Sequence, residues 1–329
     1  MKNLFDFATK ELSQDAFLRW LFENYNCENE SVRNAFKKLF EAFTGIDPNK
    51  SEITELETVA QWKNIDASIW VKIDGEEHLI VIEDKTTSGL HGNQLEKYDN
   101  KIKVHNEYWI KQQEKGNKKT ERFVKDKKNI HRVFYKTSKT NETGWGRSFQ
   151  IEQIYELFKD VRNTGSEILD SYAEHIREIY SACYNSEKPQ EHNNSIDLFK
   201  WEAYFKNTVI PNLTQNGYKV GAWKAGPYPY ICLVVKKLDC KEEIPYLEIR
   251  SRDCLHNNFA ARVLLYEVKR TESQLEKLKA NIQTSDFKAQ NHKQQVGITP
   301  ETETAQTDEE FISLVEKYAN EYLKVMKDW

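Results

Sequence analysis

The sequence predicts an α/β protein in two parts, with helices and a strand cluster in the first half and a smaller α+β region after it. Three observations predict it. Apolar residues recur at three- and four-residue spacing near the start, two Ile- and Val-rich runs meet at Asp74-Gly75, and 329 residues exceed the roughly 100–200 of one typical domain. With 39% hydrophobic and 30% charged residues the chain can form real cores under a polar surface, which excludes collagen-like, low-complexity and wholly disordered classes.

Helices open the chain. Leu12, Ala16 and Trp20, with Phe17 and Leu21, fall on one helical face, and Val32, Phe36, Leu39, Phe40 and Phe43 repeat the pattern until Gly45 and Pro48 stop it. From Ile53 to Trp62 the period changes to two. Ile65 to Ile73 and Glu77 to Lys85 are then predicted strands, joined at Asp74-Gly75, a dipeptide suited to a hairpin turn whose two central residues take positive φ. A helix is expected from near Asn93 to about Lys115, a strand over Arg132 to Ser138, and amphipathic helices over Ile151 to Phe158 and Ile168 to Tyr184.

Residues 185 to 194 are polar, Pro-containing and without periodicity, as a linker would be, so the expected domains are residues 1–187 and 195–329. The second begins with a helix around Leu198 to Val209. Strands are expected over Tyr218 to Trp223, Ile231 to Lys237, Leu247 to Arg252 and Ala260 to Val268, and a polar helix over Glu272 to Ile282. A Thr- and Gln-rich loop, residues 290 to 307, leads to a last helix whose start carries the capping-box pair Thr307 and Glu310.

The longest charge-free apolar stretch of the second half, Ala225 to Val235, is far shorter than the ~20 residues that span a bilayer, so no membrane partner is expected. The first residues carry acids and lack a sustained apolar run, from which a cytoplasmic location is expected. Five cysteines with no C-x-x-C pair fit neither a disulfide framework nor a structural zinc site. The eight histidines show no H-x-H or H-E-x-x-H spacing, and no glycine-rich phosphate loop is present.

Chemistry gathers at the hairpin. With Asp74 and Gly75 as turn residues, Ile73 faces Glu76, and the same register puts Asp66 opposite Glu83. Two carboxylates with Cβ atoms ~5 Å apart repel unless a cation lies between them. Alternation puts Lys85 on the face of Glu83 and sends Asp84 to the other. Carboxylates at the end of a strand that reads as buried suit Mg²⁺, which takes one or two protein carboxylates together with waters and phosphate oxygens. An isolated E-x-K is also a common exposed pair; the hairpin register singles this one out.

A helix bearing an acid, an Asp at a strand start, a hairpin to Ile82-Glu83-Asp84-Lys85 and a helix with Gln94-x-x-x-Tyr98 follow one another in an order that resembles the PD-(D/E)XK nuclease superfamily. The opening FDFATKELSQDAF, with IEDKT, looks like its bacterial stand-alone members, and the likeness covers about half the chain, roughly residues 1 to 160. The resemblance implies a restriction-endonuclease-like αβββαβ core, a mixed sheet flanked by helices. It also implies Mg²⁺- or Mn²⁺-dependent phosphodiester hydrolysis of nucleic acid, DNA ahead of RNA, in a setting such as defence against mobile DNA. Asp66 and Glu83 match its metal ligands, Lys85 its catalytic lysine, Glu11 the first-helix acid that would complete the metal shell, and Gln94 the glutamine beyond the motif. Ile65 stands where the proline of the name would be.

One further feature needs a partner. Residues 101 to 140 hold thirteen Lys or Arg against four Asp or Glu, a local excess of +9, so the other 289 residues carry −13. Phosphate contact and plain solvation explain such a stretch equally well; on the first, Lys101, Lys118, Lys119 and Lys125, with Tyr98 nearby, would contact nucleic acid. A homo-oligomer formed through the carboxyl-terminal region is also expected. The competing class is a binding module on a nuclease scaffold, gripping nucleic acid or protein without cutting; a pure binder has no reason to keep Asp66, Glu83 and Lys85 together.

Overall fold

The computed structural model describes residues 11–86, 92–117, 121–139, 145–213, 217–224, 230–238, 245–265, 271–290 and 294–327, in two units, residues 1–180 and 181–329. In the first, α1 (Glu11–Glu23) and α2 (Glu30–Thr44) precede the sheet. The Asn29 side chain accepts from the Val32 amide at 3.1 Å to open α2, and Gly45, at φ 76°, closes it in a left-handed conformation that a side chain would strain.

Three antiparallel strands follow, β1 (Ile53–Ala60), β2 (Ala67–Ile73) and β3 (Glu76–Lys85). Asp74 and Gly75 have φ of 50° and 83°, the two positive values the hairpin requires. The register runs from Ile73↔Glu76 to Ala67↔Ile82, as expected. Helix α3 (Gln94–Glu114) carries the chain across the sheet to β4 (Ile130–Lys136), parallel to β3, and β5 (Arg147–Phe149) adds parallel to β4. The strand order is β1-β2-β3-β4-β5, a mixed sheet with the αβββαβ succession, followed by α4 (Ile151–Phe158) and α5 (Glu167–Cys183).

Alternation divides the sheet chemically. Leu79 and Val81 face α3 and pack with Ile65, Trp70, Tyr98 and Ile102. On the other face Tyr135 is buried, its hydroxyl 2.8 Å from that of Tyr172, whose ring stacks on Phe17 of α1. Each such fully buried aromatic contributes about 1.5–3 kcal/mol relative to an exposed one, so both helical layers are held firmly to the strands.

Strand β2 starts two residues later than expected. Gln61, Lys63 and Asn64 take φ of 53°, 53° and 63°, and the amide of Gln61 donates to the carbonyl of Asp66 at 3.2 Å. Left-handed conformations at non-glycine residues cost about 1–2 kcal/mol each. This strained turn, invisible to periodicity, sets Asp66 at the mouth of β2.

In the second unit, helices α6 (Ser195–Tyr204), α7 (Glu272–Gln283) and α8 (Asp308–Val325) accompany an antiparallel sheet. Its strands are β6 (Tyr218–Lys224), β7 (Ile231–Lys237), β8 (Tyr246–Arg250), β9 (Ala261–Leu264), β10 (Lys288–Ala289) and β11 (Gln295–Ile298), ordered β10-β11-β9-β8-β7-β6. Strand β11 lies inside the stretch expected to be a loop; four residues are too few for a period to register. Thr307 caps α8 by accepting from the Glu310 amide at 3.2 Å, while the Glu310 carboxylate accepts from Gln306 rather than from the cap residue.

The polar stretch at 185–194 is not a free linker. Lys188 and Pro189 are buried, Lys188 donates to the carbonyl of His256, and the Trp201 indole donates to the carbonyl of Glu191 at 3.0 Å. The His192 ring also meets the Ser251 hydroxyl at 2.8 Å, so these polar residues serve tertiary contacts that composition alone does not register. Among the described residues Cys27, Cys183, Cys232 and Cys254 form no disulfide, and no helix is long and apolar enough to cross a membrane.

Candidate active site

One step beyond Ala67↔Ile82 the hairpin register brings Asp66 opposite Glu83. Lys85, two residues along β3 on the same face, places Nζ 2.5 Å from Glu83 Oε1 and 3.9 Å from Asp66 Oδ2. The residue between them works in both directions. The Asp84 amide donates to Asp66 Oδ2 at 3.0 Å, fixing the first acid, while the Asp84 carboxylate points to the opposite face and accepts from the Gln14 amide of α1.

Side-chain exposure falls from 18% at Asp66 to 6% at Lys85 and none at Glu83, so the group opens to solvent on the Asp66 side. Burial pushes the Glu83 carboxyl up to about 7; the charge of Asp66 adds to the rise, and the Lys85 ammonium opposes it. Glu83 Oε2 is buried with no hydrogen-bond donor on it. A carboxylate oxygen left bare in this way, with a second acid across the hairpin, has the donor set a hard divalent cation takes. Among the described residues no group of three or more His, Cys, Asp or Glu gathers as an all-protein cage, so waters and substrate oxygens would fill the remaining positions.

Helix α3 covers this face with Tyr98 and Gln94. The Gln94 amide donates to the Tyr98 hydroxyl at 2.7 Å, and Gln94 Oε1 is buried without a partner. Burial pushes the Tyr98 phenol up to about 12, and the neighbouring Glu83 and Asp66 carboxylates reinforce the shift, so it stays protonated beside them. Tyr98 is 5% exposed, with its ring 5.7 Å from that of Trp145. The expected nucleic-acid contact by its ring is corrected here: the helical spacing that aligns it with Gln94 turns it inward, and no ring face is open for a base.

Asp66, Glu83, Lys85, Gln94 and Tyr98 are thus brought together. Glu11 begins α1, and its side chain lies outside the described residues, as do Lys118 and Lys119. Lys101 donates to the carbonyl of Lys63 at 2.7 Å and sits 5.6 Å over the Tyr98 ring, so it braces the strained turn before Asp66. Lys125 is exposed beside Gly75 and Glu76 at the turn end of the hairpin. At about 3.3 Å per strand residue that end is roughly 23 Å from Glu83. Elsewhere in the basic stretch Arg122 pairs with Glu77 at 2.8 Å and Arg132 with Asp99 at 2.5 Å, which leaves it less positive than its composition.

Two residues went unread in the sequence. Gln14 is one: glutamine on an apolar helix face carries no signal until its partner Asp84 is seen. Lys136 is the other, at the end of β4 opposite Lys85. A family model described as the PD-(D/E)XK nuclease superfamily matches residues 2–196. No curated protein and no solved structure matches the chain.

Proposed function

The chain belongs to the PD-(D/E)XK nuclease superfamily, and from that premise we propose that it is a divalent-metal-dependent nuclease, with DNA as its first substrate and Mg²⁺ or Mn²⁺ as its ion. The observation that carries this reading is the convergence of Lys85 on both acids, 2.5 Å from Glu83 and 3.9 Å from Asp66. Asp66 and Glu83 would hold the ion, with Glu11 as a third acid. When bound, the ion supplies polarisation of the phosphate and a more acidic water. Lys85 orients the attacking water and offsets the negative charge that grows on the phosphoryl oxygens. Tyr98, fixed by Gln94, closes the Glu83 side against bulk water.

The test is incubation with linear, circular and single-stranded DNA and with RNA, with and without Mg²⁺ or Mn²⁺. Cleavage of DNA that requires the ion is the expected result. Intact substrates in every combination would overturn the reading in favour of a silent binding module.

The basic stretch yields a separate expectation. If it touches phosphates, replacing Lys118, Lys119 and Lys125 by Gln weakens binding alike on all sequences. Each lost contact lowers the log-log salt slope by roughly 0.7 to 0.9. An unchanged slope would assign these lysines to solvation.

A further inference from the structure

We propose that one exposed line of helix α3 holds a single-stranded segment of the nucleic acid, with Tyr108 stacking on an unpaired base and Lys97, Lys111 and Lys115 on the phosphates beside it. The inference rests on the nuclease reading above and deepens it by naming the form of substrate that this flank of the site accepts.

Lys97, Lys101, Val104, Tyr108, Lys111 and Lys115 follow one another at three- and four-residue steps, so they form one line along α3 and just past its end. At 1.5 Å per residue that line is about 27 Å long. At about 100° per residue, Gln94 and Tyr98 lie about 60° and 100° to one side of it, and the acids Glu96, Glu107 and Glu114 about 80–100° to the other. The lysines therefore occupy the flank of the helix next to the candidate active site, and the acids the flank away from it. Lys101 donates to the carbonyl of Lys63 beside Tyr98. Among the described residues Lys97, Lys111 and Lys115 have no acidic partner.

Apolar surface sits between the lysines. Val104 is 58% and Tyr108 53% exposed, the most exposed large hydrophobic side chains among the described residues. The Tyr108 ring meets that of Trp109 at 5.0 Å and 84°. A perpendicular contact takes at most one face of a ring, so Tyr108 keeps a face open where Tyr98 does not. An open aromatic face between unpaired cations is the combination that grips single strands, because every base offers a π-face and the lysines track the backbone. In a duplex the bases stay stacked on one another and leave Tyr108 without a partner. A second copy of this chain is the competing occupant, but a two-fold contact along this line would set lysine against lysine at both ends.

The test is equilibrium binding of a fluorescent oligothymidylate and of a DNA duplex, in Ca²⁺ over a salt series. Wild type is compared with Tyr108→Ala, Tyr108→Trp and a triple variant carrying Lys97→Gln, Lys111→Gln and Lys115→Gln, with melting and sedimentation alongside. Tyr108→Ala should bind the oligothymidylate roughly tenfold more weakly and the duplex within about twofold of wild type, while Tyr108→Trp keeps the single-strand affinity. In the triple variant the log-log salt slope on the single strand should fall by roughly 0.7 for each lysine, about 2 in all. If Tyr108→Ala does not fold, the loss is read on Tyr108→Leu, which keeps apolar bulk without a ring; failure of both to fold assigns Tyr108 to the helix and overturns the proposal. Equal weakening on duplex and single strand overturns it, and so does a wild-type dimer that Tyr108→Ala dissociates, which would give the line to a second copy. Wild-type binding in Tyr108→Ala, or a wild-type slope in the triple variant, overturns this inference alone when wild type cuts. A wild-type protein that neither binds nor cuts nucleic acid overturns the nuclease reading and this inference with it.

Discussion

Replacing Lys85 by alanine is expected to slow single-turnover cleavage by on the order of a hundredfold or more, with nucleic-acid affinity in Ca²⁺ within a few-fold of wild type. The ammonium lies against two acids at the buried end of β3, its side chain only 6% exposed. Its interaction with the phosphoryl group therefore strengthens chiefly as charge develops there, which places the loss in rate rather than in binding. Methionine, of similar length, should do no better, because charge is what the site loses. The structure adds a second consequence. Lys85 holds the Glu83 carboxyl down against burial, so in the alanine variant Glu83 keeps its proton to higher pH. If raising the pH by one or two units restores the rate, Lys85 serves only to ionise Glu83; a deficit that persists assigns it to the reacting phosphate. Equal rates for variant and wild type would remove Lys85 from the chemistry, and a binding module would show no cleavage in either.

What the sequence made legible was local. Asp74-Gly75 fixes a two-residue turn, the turn fixes the register, and the register alone pairs Asp66 with Glu83. Every link in that chain lies within about twenty residues, where backbone geometry leaves few options. Lys136 could not be reached in the same way. Its partnership with Lys85 is set by a parallel crossover through α3, and no turn rule dictates where β4 comes to rest. Tyr98 was placed on the correct helix face, but which way that face turned depended on Trp145 and the sheet beneath it. The stretch at 185–194 failed for the opposite reason: its polar composition is real, and tertiary contacts such as that of Lys188 with the carbonyl of His256 override it.

Asp66→Asn should abolish binding of Mg²⁺ and Mn²⁺, and with it cleavage, while the metal-free protein melts no lower than wild type. Asparagine keeps an oxygen able to accept from the Asp84 amide, which lies 3.0 Å from Asp66 Oδ2, and it leaves the Lys85–Glu83 pair at 2.5 Å intact. What it removes is the negative charge that helps push Glu83 from its ordinary 4.5 to about 7. The sign of the pH effect follows. Between those values folded Glu83 holds a proton that the unfolded chain has lost, so this group favours folding most at low pH, and that advantage declines as the pH rises from about 4.5 to about 7. Asp66→Asn shrinks the decline, and in chelator the variant should gain on wild type between pH 5 and pH 8. The wild-type affinity for Mn²⁺ should itself fall as the pH drops through about 7, because the proton and the ion compete for Glu83. Glu83→Gln is the less clean experiment: it also loses the ion, but it strips a buried lysine of its nearest partner, a change that typically costs about 3–5 kcal/mol. Calorimetric titration and melting in chelator decide the matter. Wild-type Mn²⁺ affinity in Asp66→Asn would exclude Asp66 as a ligand, and a variant that melts well below wild type at pH 8 would make it a structural residue of the hairpin.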